Sequence, residues 1–399
     1  PSACPGWGMA FLTGLTMPGP YKVENIDVHM SAVTTNKPSW NASRGYGKES
    51  TAIALELAMD NAARQLGISP IELRLKNFIA KDAFPYSSPT GLVYDSGDYG
   101  GGLLKALETI DYQGWKDKQA AALAEGRYLG IGVAFELTPE GGTIPGTMVA
   151  GYDSSSVRVG PDGTVRVLTG ITSPGTHNAT AMAQIAADEL GVDIAKIEVL
   201  QGDTDSSPYG FGNYSGRSTI VGGGSVALAA QDVRAKINAV AAALLEVELD
   251  TLKLVKGVFS SSAKNDATLT FAEVCYASYT RAYDVAMCID PPLEATRTYK
   301  PPGISHLPDN NGRINPYPSY SNAVYVVVCE VDADTGKIDL LSLAAAHDCG
   351  KVINPILVEG QVCGAFAMGL GGALTEDIQY DANGIQLTKS FKDYVMLRM

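Results

Sequence analysis

The chain has 399 residues, 45% hydrophobic and 18% charged, enough to bury a large core and to build two domains or one elaborate one. Its formal net charge of -13 at pH 7 opposes a nucleic-acid ligand, because reading a phosphate backbone needs a basic face that displaces counterions. No apolar run approaches the roughly 20 residues that cross a bilayer, and no basic segment leads into an apolar stretch at the N-terminus, so a cytoplasmic location without a membrane segment is expected.

In chain order, good helix formers run from Glu49 through Leu66 and stop at Gly67, where a left-handed cap is favoured. Ser69, Pro70 and Glu72 then supply an N-cap, a first-turn proline and a capping-box acid, which start a second helix through Phe78. A loop is expected from Phe84 to Gly102, ending in YDSGDYGGG, before a helix from Leu103 to Ile110. The charged, alanine-rich segment Trp115 to Arg127 leads into the alternating apolar residues of a strand, Leu129 to Leu137. A hairpin follows, Ser156–Val159 and Thr164–Leu168 about a Pro161-Asp162-Gly163 turn, and then a helix over 179–190. A second hairpin, Ala323–Val331 and Lys337–Ala345, is followed by a helix capped by Asn354 with Pro355 at its first position. The repeated grammar predicts two related halves framing one site.

Six cysteines, Cys4, Cys275, Cys288, Cys329, Cys349 and Cys363, contain no C-x-x-C pair. Neither a zinc ribbon nor an iron–sulfur loop is therefore read, and buried free thiols in a reducing compartment are expected. The four histidines, His29, His177, His306 and His347, are too dispersed for a metal cluster. The chain opens at Pro1 without a methionine and closes at Met399 just after an apolar run, as a segment of a longer polypeptide would.

Several glycine-bearing turns share one character: Gly45-Tyr46-Gly47, Ser173 to Asn178, Gly210 to Ser218, Val221 to Gly224, and His347 to Gly350. Most precede a helix, whose first amides are oriented donors for an anion, and glycine lets backbone approach a ligand closely. Any single one of them reads better as a plain structural turn, whereas the set favours a large polyanionic cofactor. There is no P-loop string, no dinucleotide fingerprint in its strand–turn–helix context and no G-x-S-x-G elbow, so ordinary ATP, NAD and serine-hydrolase sites are not indicated.

The strings SRGYGKESTAIALELAMDNAARQLGISPIELRLKNFI (Ser43 to Ile79), SPTGLVYDSGDY (Ser88 to Tyr99), QIAADELGVDIAKIEVLQGDTD (Gln184 to Asp205), GFGNYSGRSTIVGGG (Gly210 to Gly224) and HDCGKVINPILVEGQVCGAFAMGLGGALTE (His347 to Glu376) resemble, in this order, the large subunits of molybdenum hydroxylases of the xanthine dehydrogenase and aldehyde oxidoreductase type. The resemblance implies an α+β fold of mixed sheets with flanking helices and two molybdenum-cofactor-binding domains. Residues 1–127 would be the C-terminal part of the first domain plus a connecting segment, and 128–399 the second domain, incomplete at its C-terminus.

What the resemblance implies for residues is specific. Arg44, from the Arg-Gly-aromatic-Gly turn, would orient substrate or stabilise charge in the transition state, a task suited to a permanently ionised planar fork. Gly45, Tyr46 and Gly47 would shape the cofactor's edge. Gly175-Thr176-His177-Asn178 stands where the family often has Gly-Gln-Gly-His, so Thr176 or Asn178 would have to replace the glutamine amide. Gly212, Ser215, Gly216, Arg217 and Ser218, with Gly222 and Gly223, resemble turns holding the pterin and its nucleotide phosphates, with Arg217 a phosphate partner. The family's base glutamate sits in a Gly-Glu turn that has no match here; neither Glu359 nor Glu376 fits it.

The chemistry implied is hydroxylation with oxygen taken from water, on molybdopterin, expected as the cytosine dinucleotide, with molybdenum. Two electrons would leave through iron–sulfur clusters to FAD on partner subunits, and a further molybdopterin-binding chain is a possible partner. Asn41, Ala42 and Ser43 stand where the carbon monoxide branch carries a cysteine, which argues against CO and leaves an N-heterocycle, a purine or an aldehyde as substrate; Trp40, Tyr46 and Tyr209 are candidate pocket aromatics. Two other readings stay open: a non-catalytic or split-site scaffold subunit, which the missing glutamate favours, and an unrelated phosphate-ligand binding module.

Overall fold

A computed structural model describes residues 7–37, 42–143, 151–281, 283 and 289–397. Cys4, Trp40, Asn41, Cys288 and the two chain ends lie outside these residues. Residues 1–350 form one compact unit and 351–399 a second.

Helix α1 (Trp7–Leu15) is followed by α2 (Lys48–Leu66), whose C-cap Gly67 has φ 66° as expected, and α3 (Pro70–Asn77), whose N-cap Ser69 accepts the Ile71 amide. The stretch expected as a loop contains a small hairpin, β1 (Tyr86–Ser87) with β2 (Val93–Tyr94), before α4 (Tyr99–Ile110). The last three glycines of YDSGDYGGG, Gly100 to Gly102, belong to the first turn of α4, because Asp98 caps it by accepting the Gly101 amide at 2.9 Å and Tyr99 is buried. Helix α5 (Tyr112–Ala124) leads into the long strand β3 (Tyr128–Glu140).

Next come the hairpin β4 (Asp153–Val159) and β5 (Val165–Thr169), helix α6 (Asn178–Leu190) and strand β6 (Ile197–Gln201), which pairs parallel to β5. The parallel pair needs a crossover, and α6 provides it. Helix α7 (Gly224–Leu245) is followed by the antiparallel meander β7 (Leu252–Val255), β8 (Val258–Ser261) and β9 (Lys264–Thr270), and then by α8 (Phe271–Thr280) with a complete Thr270/Glu273 capping box. Strand β10 (Glu294–Tyr299) joins the edge of the sheet β10-β4-β5-β6. The first unit closes with β11 (Ser319–Val331) and β12 (Ile338–Asp348), which form the antiparallel sheet β12-β11-β3.

The two predicted hairpins therefore lie in different sheets, each with its own core. Val157, Val167, Met182, Val233 and Ile237 bury the four-stranded sheet under α6 and α7. Tyr99, Leu103, Phe135, Val324 and Val326 fill the second core between α4 and the three-stranded sheet. The expected boundary at 127/128 falls in the bend between α5 and β3, and this second core draws on residues from both sides of it. In each core the aliphatic burial of roughly 1.5–3 kcal/mol per side chain is the main favourable contribution. The α+β class of mixed sheets with flanking helices agrees with the expectation.

A buried polar cluster pins α2 and α3 to β3. Arg74 donates to Glu56 at 2.9 Å and to Asp60 at 2.7 Å, while Glu56 also accepts the Tyr21 hydroxyl at 2.6 Å and the Phe135 amide at 3.1 Å. Arg74 is fully buried, and its charge is stabilised by this set together with the Pro70, Glu56 and Val133 carbonyls, to which it also donates.

In the second unit, α9 (Pro355–Leu374) is capped by Asn354, which accepts the Leu357 amide. This helix corrects the expectation that no segment reaches bilayer length: its 20 residues are long and apolar enough by length and composition alone. Glycines and Glu359 break up the run of letters, yet helix formation joins them into one apolar rod.

Candidate functional site

Of the expected turns, Ser173–Asn178 is joined to the Gly210–Ser218 loop by side-chain hydrogen bonds, and a third, at 43–47, is built beside α1. Asn213 Nδ2 donates to Thr176 Oγ1 at 3.1 Å, Thr176 Oγ1 donates to Asn178 Oδ1 at 3.1 Å, and Asn178 Nδ2 donates to Ser218 Oγ at 3.2 Å and to the Thr172 carbonyl at 3.1 Å. Ser218 in turn donates to Asn213 Oδ1. The 173–178 turn and the 210–218 loop are thus one polar unit. On its other side the loop is held to the end of β3, where the Gly141 amide donates to the Ser215 carbonyl at 2.5 Å and Ser215 Oγ to the Pro139 carbonyl at 3.2 Å.

The third turn, at 43–47, rests on α1. Thr13 Oγ1 donates to the Gly47 carbonyl at 2.9 Å, and a side chain at Gly47 would meet the Met9 carbonyl oxygen at 2.3 Å. Tyr46 lays its hydroxyl against Gly8, where no larger residue fits. Lys48, next after this turn, attracts the Glu140 carboxyl at the end of β3. Arg44 is exposed.

Left-handed backbone gathers in these turns. Tyr46, His177 and Ser215 have φ of 53°, 53° and 47°, a conformation that disfavours side chains, and one falls in each of the three turns. Gly175 (φ 101°) and Gly212 (φ 83°) have open space where a Cβ would stand, unlike Gly45 and Gly216, which face Glu49 and Glu140. Helices α2 and α6 both begin at these turns without a side-chain cap hydrogen bond. Open glycine backbone, helix-start amides and the exposed side chains of Arg44 and His177 fit an anionic, planar ligand.

Three expectations change in detail. Val221–Gly224 is not a turn: residues Ser218–Gly223 form a π-helix that runs into α7. Gly222 and Gly223 are buried there because Ile171 and Ile185 occupy the space a Cβ would need, at 2.5 Å and 2.8 Å, so their bareness serves helix packing. Arg217, expected as a phosphate partner, is fully buried and pairs with the equally buried Asp153 at 2.7 Å, donating also to the Gly212 and Tyr152 carbonyls. It clamps the loop from inside, beneath the Tyr214 ring at 5.1 Å. Asn178 uses its amide on Thr172 and Ser218, which leaves Ser173 and His177 as the exposed polar side chains of this turn.

Asp153 and Glu140 hold the site together and escaped sequence reading, because each acts on residues far away in the chain and neither sits in a recognisable string; Asn213 lies within the GFGNYSGRSTIVGGG string, but its partner Thr176 is distant in sequence. The 347–350 turn has its own closure, the Gly350 amide donating to Asp348 at 2.9 Å. Among the described residues, no group of three or more His, Cys, Asp or Glu side chains is arranged to hold a metal ion.

The chain belongs to the molybdopterin cofactor-binding family: the profile described as "Molybdopterin cofactor-binding domain" matches residues 105–399, and a companion profile of the same description matches residues 2–78. Within that class it is similar to the carbon monoxide dehydrogenase large chain of Hydrogenophaga pseudoflava, at 33% identity over 95% of this chain and 46% of that one. It is also similar to the nicotine 6-hydroxylase large subunit of Paenarthrobacter nicotinovorans, at 30% identity over 95% of this chain and 45% of that one. The crystal structure of quinoline 2-oxidoreductase from Pseudomonas putida 86 superposes with a TM-score of 0.84 at 32% identity, over 98% of this chain and 48% of that one. The chain spans about half the length of the curated relatives it matches.

Proposed function

We propose that the protein forms the molybdenum-cofactor-binding part of a hydroxylase that places water-derived oxygen on an N-heterocycle, a purine or an aldehyde. The observation that carries this reading is the joining of the 173–178 and 210–218 turns by the Asn213–Thr176 and Asn178–Ser218 hydrogen bonds, with open left-handed glycines at Gly175 and Gly212. When bound, the cofactor supplies a two-electron oxidation. The chain's own residues bind and orient: Gly175, Gly212 and the first amides of α6 admit the pterin side, while Gly45, Tyr46 and Gly47 shape its edge. Arg44 offers a guanidinium fork to substrate. Molybdopterin cytosine dinucleotide is the form proposed, with iron–sulfur and FAD subunits as electron partners and a cytoplasmic setting. The Ala42-Ser43 approach to Arg44 carries no thiol, which supports an organic substrate over carbon monoxide.

The test is molybdenum, iron and pterin analysis of the natively purified complex, with mass spectrometry of the copurifying chains. Molybdenum near one atom per copy is expected, unchanged in Arg44→Ala, while turnover of that variant falls by about two orders of magnitude or more, the scale set by loss of one transition-state donor. A well-folded complex without molybdenum would favour a scaffold role, and unchanged turnover would remove Arg44 from the reaction.

A further inference from the structure

The turn that presents Arg44 needs a hold from outside itself. Gly45, Tyr46 and Gly47 follow one another at φ 103°, 53° and 96°, three successive residues in the left-handed half of conformational space. For Tyr46 that conformation is sparsely populated, and it persists only where the surroundings over-determine it. Within the segment the Tyr46 amide donates to the Ser43 carbonyl at 3.0 Å and the Lys48 amide to the Gly45 carbonyl at 3.2 Å. Bonds of this range close turns of several shapes and do not select this one.

Glu49, in the first turn of α2, folds its carboxylate back so that Oε2 accepts the Gly47 amide at 2.8 Å. The same carboxyl fills the space that Gly45 leaves, since a Cβ there would stand 2.9 Å from the Glu49 Cδ. Gly45 is thus bare for two reasons, its φ and the seat of Glu49. Across the turn Thr13 Oγ1 lies 2.9 Å from the Gly47 carbonyl and 2.9 Å from the Met9 carbonyl, so its single proton is divided between them. The Glu49 bond is charge-assisted, a class about twice as strong as neutral pairs. Behind it α2 is locked to α1, where Thr51 donates to the Thr13 carbonyl at 2.8 Å and lies 3.0 Å from Thr16 Oγ1. We propose that Glu49 is a positioning residue for Arg44, whose carboxylate fixes the 44–47 turn in its left-handed form before any ligand arrives. A glutamate in a first helical turn ordinarily only stabilises the helix start. The two roles part in what they order: a helix stabiliser orders α2, whereas a positioning residue orders Arg44.

The inference rests on the proposed function only for the task that Arg44 performs. Turnover of Arg44→Ala tests that task, while the order of the turn is read without substrate, so the two can fail separately. Labelling the purified protein with 15N-arginine gives the backbone order parameter at Arg44, its signal identified by its loss in Arg44→Lys. Wild type should be rigid, at about 0.85, Glu49→Ala should fall below about 0.6, and Glu49→Gln, which keeps an oxygen acceptor in place, should return to within about 0.1 of wild type. Peptides from residues 52–66 should exchange hydrogen no more than about twofold faster in Glu49→Ala than in wild type. An unchanged order parameter in Glu49→Ala would overturn the proposal. So would a loss of protection through α2 as large as that at the turn, or a Glu49→Gln variant as loose as Glu49→Ala. Should Glu49→Ala not fold, the wild-type protein decides: a Gly47 amide exchanging at least about a hundredfold more slowly than in a free peptide supports the proposal, and faster exchange overturns it.

Discussion

At the residue scale, the site is held by side chains whose charges are spent internally. The Asp153–Arg217 pair is the clearest, both residues being fully buried, with Arg217 also tying down the Gly212 and Tyr152 carbonyls. Removing one member of such a pair leaves a desolvated charge, so Asp153→Ala should cost about 3–5 kcal/mol, measured by chemical denaturation. Molybdenum occupancy should fall with it, because Gly212 loses its anchor. A change below about 1 kcal/mol would show that Arg217 finds another partner. Arg217 also shows where sequence reading stops: an arginine among glycines and serines looks like an anion receptor, and only the return of β4 beneath the loop reveals its carboxylate.

Among elements, local chemistry was legible and distant pairing was not. Caps at Ser69 and Asn354, the left-handed stop at Gly67 and both hairpins follow from signals within a few residues, and each lies where the sequence puts it. The first turn of α4 was missed because Gly100 to Gly102 resemble loop, while the burial of Tyr99 that holds them in helix depends on Phe135 and Phe84 from elsewhere. The turns of the candidate site were readable as turns, and two of them as neighbours through the family resemblance. Which glycines face a ligand and which face Ile171 or Ile185 required the tertiary structure. The α2–α3–β3 connection yields a test of its own. Arg74→Met should destabilise by about 3–5 kcal/mol because Glu56 keeps its charge without its cation. Adding Glu56→Gln should recover part of that loss, a non-additivity that a double-mutant cycle resolves. Strict additivity would mean that the two side chains do not depend on one another.

At the scale of the whole molecule, the thiols differ in how a probe can reach them. Cys275 lies in the core under the four-stranded sheet, where burial pushes its thiol up to about 12, whereas Cys349 is exposed. A maleimide at neutral pH should therefore label Cys349 within the mixing time of a manual experiment and reach Cys275 only at the rate of global unfolding. Rapid labelling of Cys275 under native conditions would show that this core opens locally. The same thiol then serves as a reporter for the Asp153 and Arg74 variants, since each should quicken its modification in proportion to the stability lost.

Strand β3 pairs along its whole length with β11, from Tyr128 opposite Val331 to Glu140 opposite Ser319. On a ribosome adding about 5–20 residues each second, β3 waits on the order of ten seconds or more for its partner to be made. Throughout that interval β4, β5 and the helices of the other core can already assemble, while the apolar side chains of β3 have α2, α4, α5 and Phe78 after α3 for shelter. A nascent chain halted before residue 319 would carry an open strand edge, the state in which intermolecular pairing competes with folding. Synthesis of β11 thus sets the time at which Glu140, at the far end of β3, acquires Ser321.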